Sequence, residues 1–275
     1  MEAIRSLLFV PGDSERKIAK AQSSAADALI LDLEDSVVPE KRAVARELCL
    51  ATLQAGGAKP MLVRVNALET PDALLDLAAV VRGQPYGIML PKCSSARDIH
   101  SLDRYLSALE IRDGIAPGAT KVLPIITETG ASMFGAATYR QTTPRLAGLL
   151  WGGEDLAADI GARGNRDAHG RYEPIFELAR SFCLLAATAA RVTAVDAVYT
   201  DFRNARDCEP KQRRRREAGL QPRRRFTPIR LSSSMRSSRP APMRSPMPGA
   251  LSNSSKAARR PASWRWTARC SIARI

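Results

Sequence analysis

Two carboxylates and one arginine carry the chemistry that this sequence suggests. Glu128 follows the apolar run 122–126, and Asp155 follows the apolar run 146–151 across Gly152-Gly153. Each run reads as a buried parallel strand, and acids just past its carboxyl end project into the mouth where α/β folds place their chemistry. Two carboxylates, waters and the oxygens of a substrate suit octahedral Mg²⁺, which seldom takes a full protein cage. Arg64 lies mid-strand between Val63 and Val65. Buried without a partner it would be costly. Either it pairs with Asp32, Glu34 or Asp35, or it grips a carboxylate ligand in two-pronged fashion, and the two uses are compatible. Glu34 and Asp35 serve equally well as supporting groups that orient Arg64 or a metal-bound water. The competing reading of any single strand-end acid is that it caps the next helix.

Other candidates carry less. Lys92 ends a strand and is a conceivable Schiff-base lysine, but a metal–carboxylate site makes an imine unnecessary. His100 and His169 are the only histidines, and neither falls at a strand end, so both read as surface residues. Arg16, Lys17 and Lys20 read as a solvated helix face.

The positioning elements alternate. Strand-like runs fall at 6–10, 28–33, 61–66, 87–90, 121–126, 146–151 and 196–201. Helical segments fall between them at 15–22, 39–55, 71–81, 95–109, 133–139 and 174–190, with Pro39, Pro71 and Pro174 as starts. Gly148 inside a strand suggests a bulge or a close backbone approach. Seven such repeats point to α/β architecture of the (β/α)8 TIM-barrel type. No Gly-x-Gly-x-x-Gly follows the first strand, which argues against a dinucleotide fold. An eighth strand is due after residue 204, and none is evident there.

Net charge divides the chain. Of 42 Lys+Arg and 28 Asp+Glu, residues 1–204 hold 23 and 25, whereas residues 205–275 hold 19 and 3. The first part reads as the barrel domain. The second is a basic Arg/Ser/Pro-rich tail, poor in patterned apolar residues and expected to order poorly. No run of eighteen apolar residues suggests a membrane span, and the N-terminus lacks signal-peptide form. Five cysteines without metal spacing read as reduced thiols of a cytoplasmic protein.

The order and spacing of several motifs resemble the citrate lyase beta-subunit-like (aldolase/citrate lyase, HpcH/HpaI-type) family. They are Arg5-Ser6-Leu7-Leu8-Phe9-Val10-Pro11-Gly12, Leu31-Asp32-Leu33-Glu34-Asp35-Ser36-Val37, Val63-Arg64-Val65-Asn66, Met89-Leu90-Pro91-Lys92, Glu128-Thr129-Gly130-Ala131 and Trp151-Gly152-Gly153-Glu154-Asp155-Leu156. The resemblance implies a TIM barrel that makes or breaks a carbon–carbon bond beside a coenzyme A thioester, yielding an acyl-CoA and an oxo-acid. By motif, Glu128 and Asp155 would bind Mg²⁺ and Arg64 would grip the carboxylate of the oxo-acid; on chemical grounds, backbone N–H groups around Gly152 and Gly153 would add hydrogen bonds to the same ligand. Citryl-, malyl- and citramalyl-CoA all suit such a site, and a hydrolysing member is an alternative. A homo-oligomer of trimer type is implied by the family's shared C-terminal lid.

That resemblance stops near Asp207. The expected Ile-His-Pro strand and the Asp-Gly-Lys-Met-x-Asp-like lid are absent as written. Reading the codons two nucleotides later permits Leu-Arg-Ala-Glu-Ala from residue 207, Ile-His-Pro-Asp from 225 and Ala-Leu-Asp-Gly-Lys-Met-Leu-Asp-Arg from 264. One offset recovers three pieces in order, so a frameshift near 206–207 explains the charge jump, the composition and the missing strand together. Two further readings follow: a lyase relic that binds ligand without turnover, or RNA or anion binding through Arg213–Arg216 and Arg223–Arg225. No stacking aromatic pattern accompanies those arginines, so nucleic acid is the least favoured partner.

Overall fold

A computed structural model describes residue 4, residues 6–140 and 142–199, and the backbone of 227–231. The strands are β1 (Leu7–Pro11), β2 (Ala28–Asp32), β3 (Met61–Arg64), β4 (Gly87–Leu90), β5 (Lys121–Pro124), β6 (Gly148–Leu150), β7 (Thr193–Tyr199) and β8 (Thr227–Leu231). The helices are α1 (Glu15–Gln22), α2 (Arg42–Ala55), α3 (Pro71–Val80), α4 (Ala96–Arg112), α5 (Gly130–Gly135), α6 (Glu154–Asp159) and α7 (Pro174–Ala190). All ladders are parallel, in the order β5-β4-β3-β2-β1-β8-β7-β6. The two end strands meet through isolated parallel bridges, Val122↔Leu146 and Ile125↔Leu150, rather than a continuous ladder. The architecture is therefore the expected α/β barrel type, closed loosely at one seam.

Alternation along each strand sorts side chains to two sides, because the side-chain period of a strand is two. Leu7, Phe9, Ala28, Ile30, Leu62, Met89, Leu123, Ile125, Leu150 and Val195 form an inner cluster. Their neighbours Leu8, Val10, Leu29, Leu31 and Val63 pack outward under the helices. The same parity carries Asp32 inward after Ala28 and Ile30, and Arg64 inward after Leu62. Gly148 is needed for a close approach: a Cβ there would lie 2.8 Å from the Thr193 carbonyl oxygen and 2.9 Å from Leu123.

One expectation is corrected. An eighth strand is present, Thr227–Leu231, seated between β1 and β7 with Leu7 opposite Ile229 and Tyr199 opposite Arg230. Pro228 lacks an N–H and Arg230 interrupts the apolar pattern, so this stretch does not read as a buried strand. A ladder is built from backbone groups, and the open edges of β1 and β7 accept an extended segment that lacks a strand pattern. The rest of 205–275, with its basic clusters and the proposed change of frame, lies outside the described residues. Among the described residues no helix is long and apolar enough to cross a membrane.

Candidate active site

Every residue of the expected constellation sits at the carboxyl end of a strand or just beyond it. Asp32 closes β2 and is fully buried. Its carboxylate accepts Arg64 Nε and Nη2, both at 2.7 Å, and the backbone N–H groups of Glu34 and Ser36 at 3.0 and 3.2 Å. Burial works against its charge, but Arg64 beside it holds the Asp32 carboxyl below the usual range. Arg64 closes β3. Its Nη1 lies 3.1 Å from Glu34 Oε2 and 3.5 Å from Asp35 Oδ2, and its guanidinium sits 4.9 Å from the centre of the Phe9 ring. Arg64 thus pairs with all three expected acids. Asp32 holds Nε and Nη2 along one edge of the fork, and Glu34 and Asp35 hold Nη1, the longer contact being with the more exposed Asp35.

Lys92 links this half of the site to the other. It follows β4 and Pro91 with φ +51°, a left-handed conformation that L-residues rarely adopt. Its ammonium lies 2.5 Å from Glu34 Oε1, and its backbone N–H donates to Glu128 Oε2 at 2.5 Å. Burial lifts the Glu34 carboxyl to about 7, against the opposing pull of Arg64 and Lys92. Burial disfavours the Lys92 charge, yet Glu34, Asp155 and Glu128 together raise its pKa. A lysine held charged is a poor amine nucleophile, so the Schiff-base reading loses its ground.

Glu128 is 3% exposed, and its pKa is raised well above the ordinary carboxylate value by burial first and then by the facing carboxyl of Asp155. Asp155 is half-buried in the first turn of α6. Two facing carboxyls in a buried setting call for a shared proton or a cation between them. Gly152 makes room for the pair: a Cβ there would lie 2.7 Å from Glu128 Cγ. The Gly152 N–H donates to Thr127 Oγ1 at 3.1 Å, so the contribution visible here is clearance rather than a donor aimed at a ligand. The preceding Trp151 is fixed by its Nε1 hydrogen bond to Asp196 Oδ1 at 2.7 Å and by an edge contact with Tyr172. That anchoring sets where the glycine turn begins.

Among the described residues no cluster of three or more His, Cys, Asp or Glu is placed to hold a metal. A two-carboxylate site is what remains, and Mg²⁺ commonly binds with one or two carboxylates and several waters. His100 and His169 are exposed, as expected. The three cysteines among the described residues, Cys49, Cys93 and Cys183, are free and buried. The residue that the sequence reading undervalued is Lys92. Its signal was a lone cation ending β4 among strand-end acids.

The sequence model of the HpcH/HpaI aldolase/citrate lyase family matches residues 5–223. The chain is 33% identical over 221 residues to the (3S)-malyl-CoA thioesterase of Cereibacter sphaeroides, which spans 78% of this chain and 70% of that protein. It is 35% identical over 202 residues to citrate lyase subunit beta of Escherichia coli (strain K12), spanning 73% of this chain and 65% of that protein. The solved citrate lyase beta subunit from M. tuberculosis complexed with oxaloacetate and magnesium superposes with a TM-score of 0.67 at 31% identity, over 86% of this chain and 98% of that one. Protein CitE from Mycobacterium tuberculosis in complex with magnesium, acetoacetate and coenzyme A gives 0.67 at 31% identity, over 87% and 82%. With its barrel and with a family match over most of its length, the chain belongs to the HpcH/HpaI aldolase/citrate lyase family.

Proposed function

We propose that this chain binds Mg²⁺ and an oxo-acid and acts as a carbon–carbon lyase on a 3-hydroxyacyl-CoA thioester of the citryl-, malyl- or citramalyl-CoA kind. The observation that carries the reading is the buried Glu128 carboxyl facing Asp155 at the strand ends, with Gly152 keeping the space beside it clear. Solved relatives of this fold are complexed with magnesium and with oxaloacetate or acetoacetate. Glu128 and Asp155 are the residues that would hold the ion. When bound, Mg²⁺ supplies Lewis acidity that polarises the carbonyl oxygen of the oxo-acid. Arg64 Nη1, held at 3.1 Å by Glu34 and at 3.5 Å by Asp35, would turn from Asp35 to the oxo-acid carboxylate, while Asp32 fixes the guanidinium plane through Nε and Nη2. Cleavage removes the hydroxyl proton and breaks the bond between the thioester's α-carbon and the carbinol carbon. The electron pair stays on the α-carbon, and protonation there gives the acyl-CoA.

The relative named as a thioesterase favours a second reading, hydrolysis of the thioester itself. The two separate by product: a lyase releases an oxo-acid with CoA still acylated, whereas a hydrolase releases free thiol. Turnover of a panel of CoA thioesters with Mg²⁺, followed by both readouts, decides between them. Binding of Mg²⁺ and oxo-acid without turnover is the result expected of a relic.

Two substitutions test the ion site by calorimetry. Asp155→Ala should weaken Mg²⁺ binding by about 100-fold or more, since even loss of a supporting group around a metal costs roughly 10–100-fold. Gly152→Ala, which touches no ion, should still cost about tenfold by pushing Glu128 aside. Wild-type Mg²⁺ affinity in Asp155→Ala would remove the proposed site.

A further inference from the structure

We infer that Lys92 is a positioning residue that sets the oxo-acid half of the site against the ion half. The inference rests on the function proposed above. One residue holds two separate acids by two different groups: its ammonium holds Glu34, and its backbone N–H holds Glu128. Glu34 in turn touches Arg64 through its other oxygen, so the guanidinium, Glu34, Lys92 and Glu128 form one continuous chain of contacts. Glu34 Oε2 is buried and lacks a well-formed hydrogen bond. The Lys92 ammonium is therefore the group that orients this carboxylate and keeps it from pulling Arg64 out of line.

The backbone conformation makes the double hold possible. At φ +51° the Lys92 N–H turns to Glu128 while the side chain crosses to Glu34. The next residue re-enters the ladder, with the Cys93 N–H donating to the Ile125 carbonyl at 3.1 Å. Such a conformation is strained for an L-residue and persists only where its surroundings over-determine it. Here the surroundings are the two carboxylates and that ladder bond. The side chain is partly exposed, at 39%, and its charge acts on Asp155 and Glu128 as well as on Glu34.

This arrangement makes two binding events respond in different directions. Removing the ammonium frees Glu34 and lets Arg64 drift, which weakens oxo-acid binding. The same change removes a positive charge beside Glu128 and Asp155, so Mg²⁺ binding is unchanged or tighter. A residue that merely stabilised the fold would weaken both together.

The test uses the full chain and isothermal calorimetry with two probes, Mg²⁺ alone and oxaloacetate in saturating Mg²⁺. Lys92→Met should weaken oxaloacetate binding by about tenfold or more, in line with loss of a charged hydrogen bond, while Mg²⁺ affinity stays level or rises. Lys92→Arg, which keeps the charge, should restore oxaloacetate binding to within about threefold of wild type by the same measure. Lys92→Gly, which keeps the N–H and relaxes the backbone, should fold at least as well as Lys92→Met and show the same split. Equal oxaloacetate affinity in Lys92→Met and wild type overturns the positioning role and leaves the proposed function standing. Parallel loss of both ligands in Lys92→Met and Lys92→Gly also overturns it, in favour of a structural role. A wild-type chain that binds neither Mg²⁺ nor oxaloacetate removes the proposed function, and the positioning role with it.

Discussion

Arg64→Met is expected to lower the unfolding free energy by about 3–5 kcal/mol and to abolish measurable oxo-acid binding, because it strands a buried charge. In the intact protein Asp32 is fully buried and shares two 2.7 Å contacts with the guanidinium. Methionine refills much of the volume and keeps the contact with Phe9, so the loss reports charge rather than a cavity. The backbone N–H groups of Glu34 and Ser36 remain on Asp32, but no cation does so at comparable distance among the described residues. The pH dependence changes with it. In the wild type the Asp32 pKa is lowered, so its stabilising contribution is present above the unfolded value of 3.8 and is lost as pH falls below it. Without Arg64, burial dominates and the folded pKa rises above 3.8, so the variant loses stability as pH climbs toward neutrality. Adding Asp32→Asn to Arg64→Met should recover part of the loss, since the buried charge is gone, whereas oxo-acid binding stays absent. Arg64→Lys keeps a charge but not the planar fork, and should recover stability better than binding. Urea unfolding at several pH values together with oxaloacetate calorimetry checks all of this. A loss below about 1 kcal/mol in Arg64→Met would mean that the Asp32 pair is not the anchor described here.

The positions of these groups were legible because they follow from strand parity. Asp32 continues the inward series Ala28, Ile30, and Arg64 continues Leu62, so the sequence places both in one interior before any contact is known. The bounds of β4, α1 and α7 also read directly, since glycine, proline and apolar spacing mark them. What parity does not give is conformation at a single residue. Pro91-Lys92-Cys93 contains no glycine, and nothing in those residue types announces a positive φ at Lys92. The short helix α6 was hidden for a related reason. Its six residues open with Glu154 and Asp155, and chemistry rather than periodicity dictates those types. β8 was missed because a ladder uses backbone groups alone: Thr227-Pro228-Ile229-Arg230-Leu231 has no buried-strand pattern yet fills the slot between β1 and β7. That slot falls where the offset reading permits Ile-His-Pro-Asp. A determination of the underlying nucleotide sequence across codons 200–230 tests the frameshift, and an undisturbed frame with no alternative reading would end that proposal.

Far from the site, Arg145→Met is expected to cost a further 3–5 kcal/mol, about as much as breaking any buried ion pair. Arg145 precedes β6 at the seam where β5 and β6 meet only by bridges. Its carbonyl accepts the Val122 N–H at 2.9 Å, and the Ala147 N–H returns to the Val122 carbonyl at 3.0 Å. The side chain ties this seam to α4: both Nη groups hold Glu110 at 2.7 Å, Nε holds Asp103 at 2.5 Å, and Ser107 and the Thr120 carbonyl take further N–H groups. Glu110 also accepts the backbone N–H groups of Gly118 and Thr120 at 2.8 and 2.9 Å. Burial opposes its charge, but Arg145 and these N–H groups bring the Glu110 carboxyl down to about 2. The unfolded chain therefore binds more protons than the folded one between about pH 4.5 and 2, and stability drains away as pH falls through that window. Removing Arg145 takes away the strongest of the groups that depress this pKa. The stability gap between wild type and Arg145→Met should then be widest above pH 4.5 and narrow steadily toward pH 2. Because β5 and β6 meet only through isolated bridges, hydrogen exchange at Val122 and Ala147 should accelerate in the variant before the other ladders respond. A gap that stays constant with pH, or exchange at the seam that is unchanged, would show that Arg145 does not hold the barrel closed.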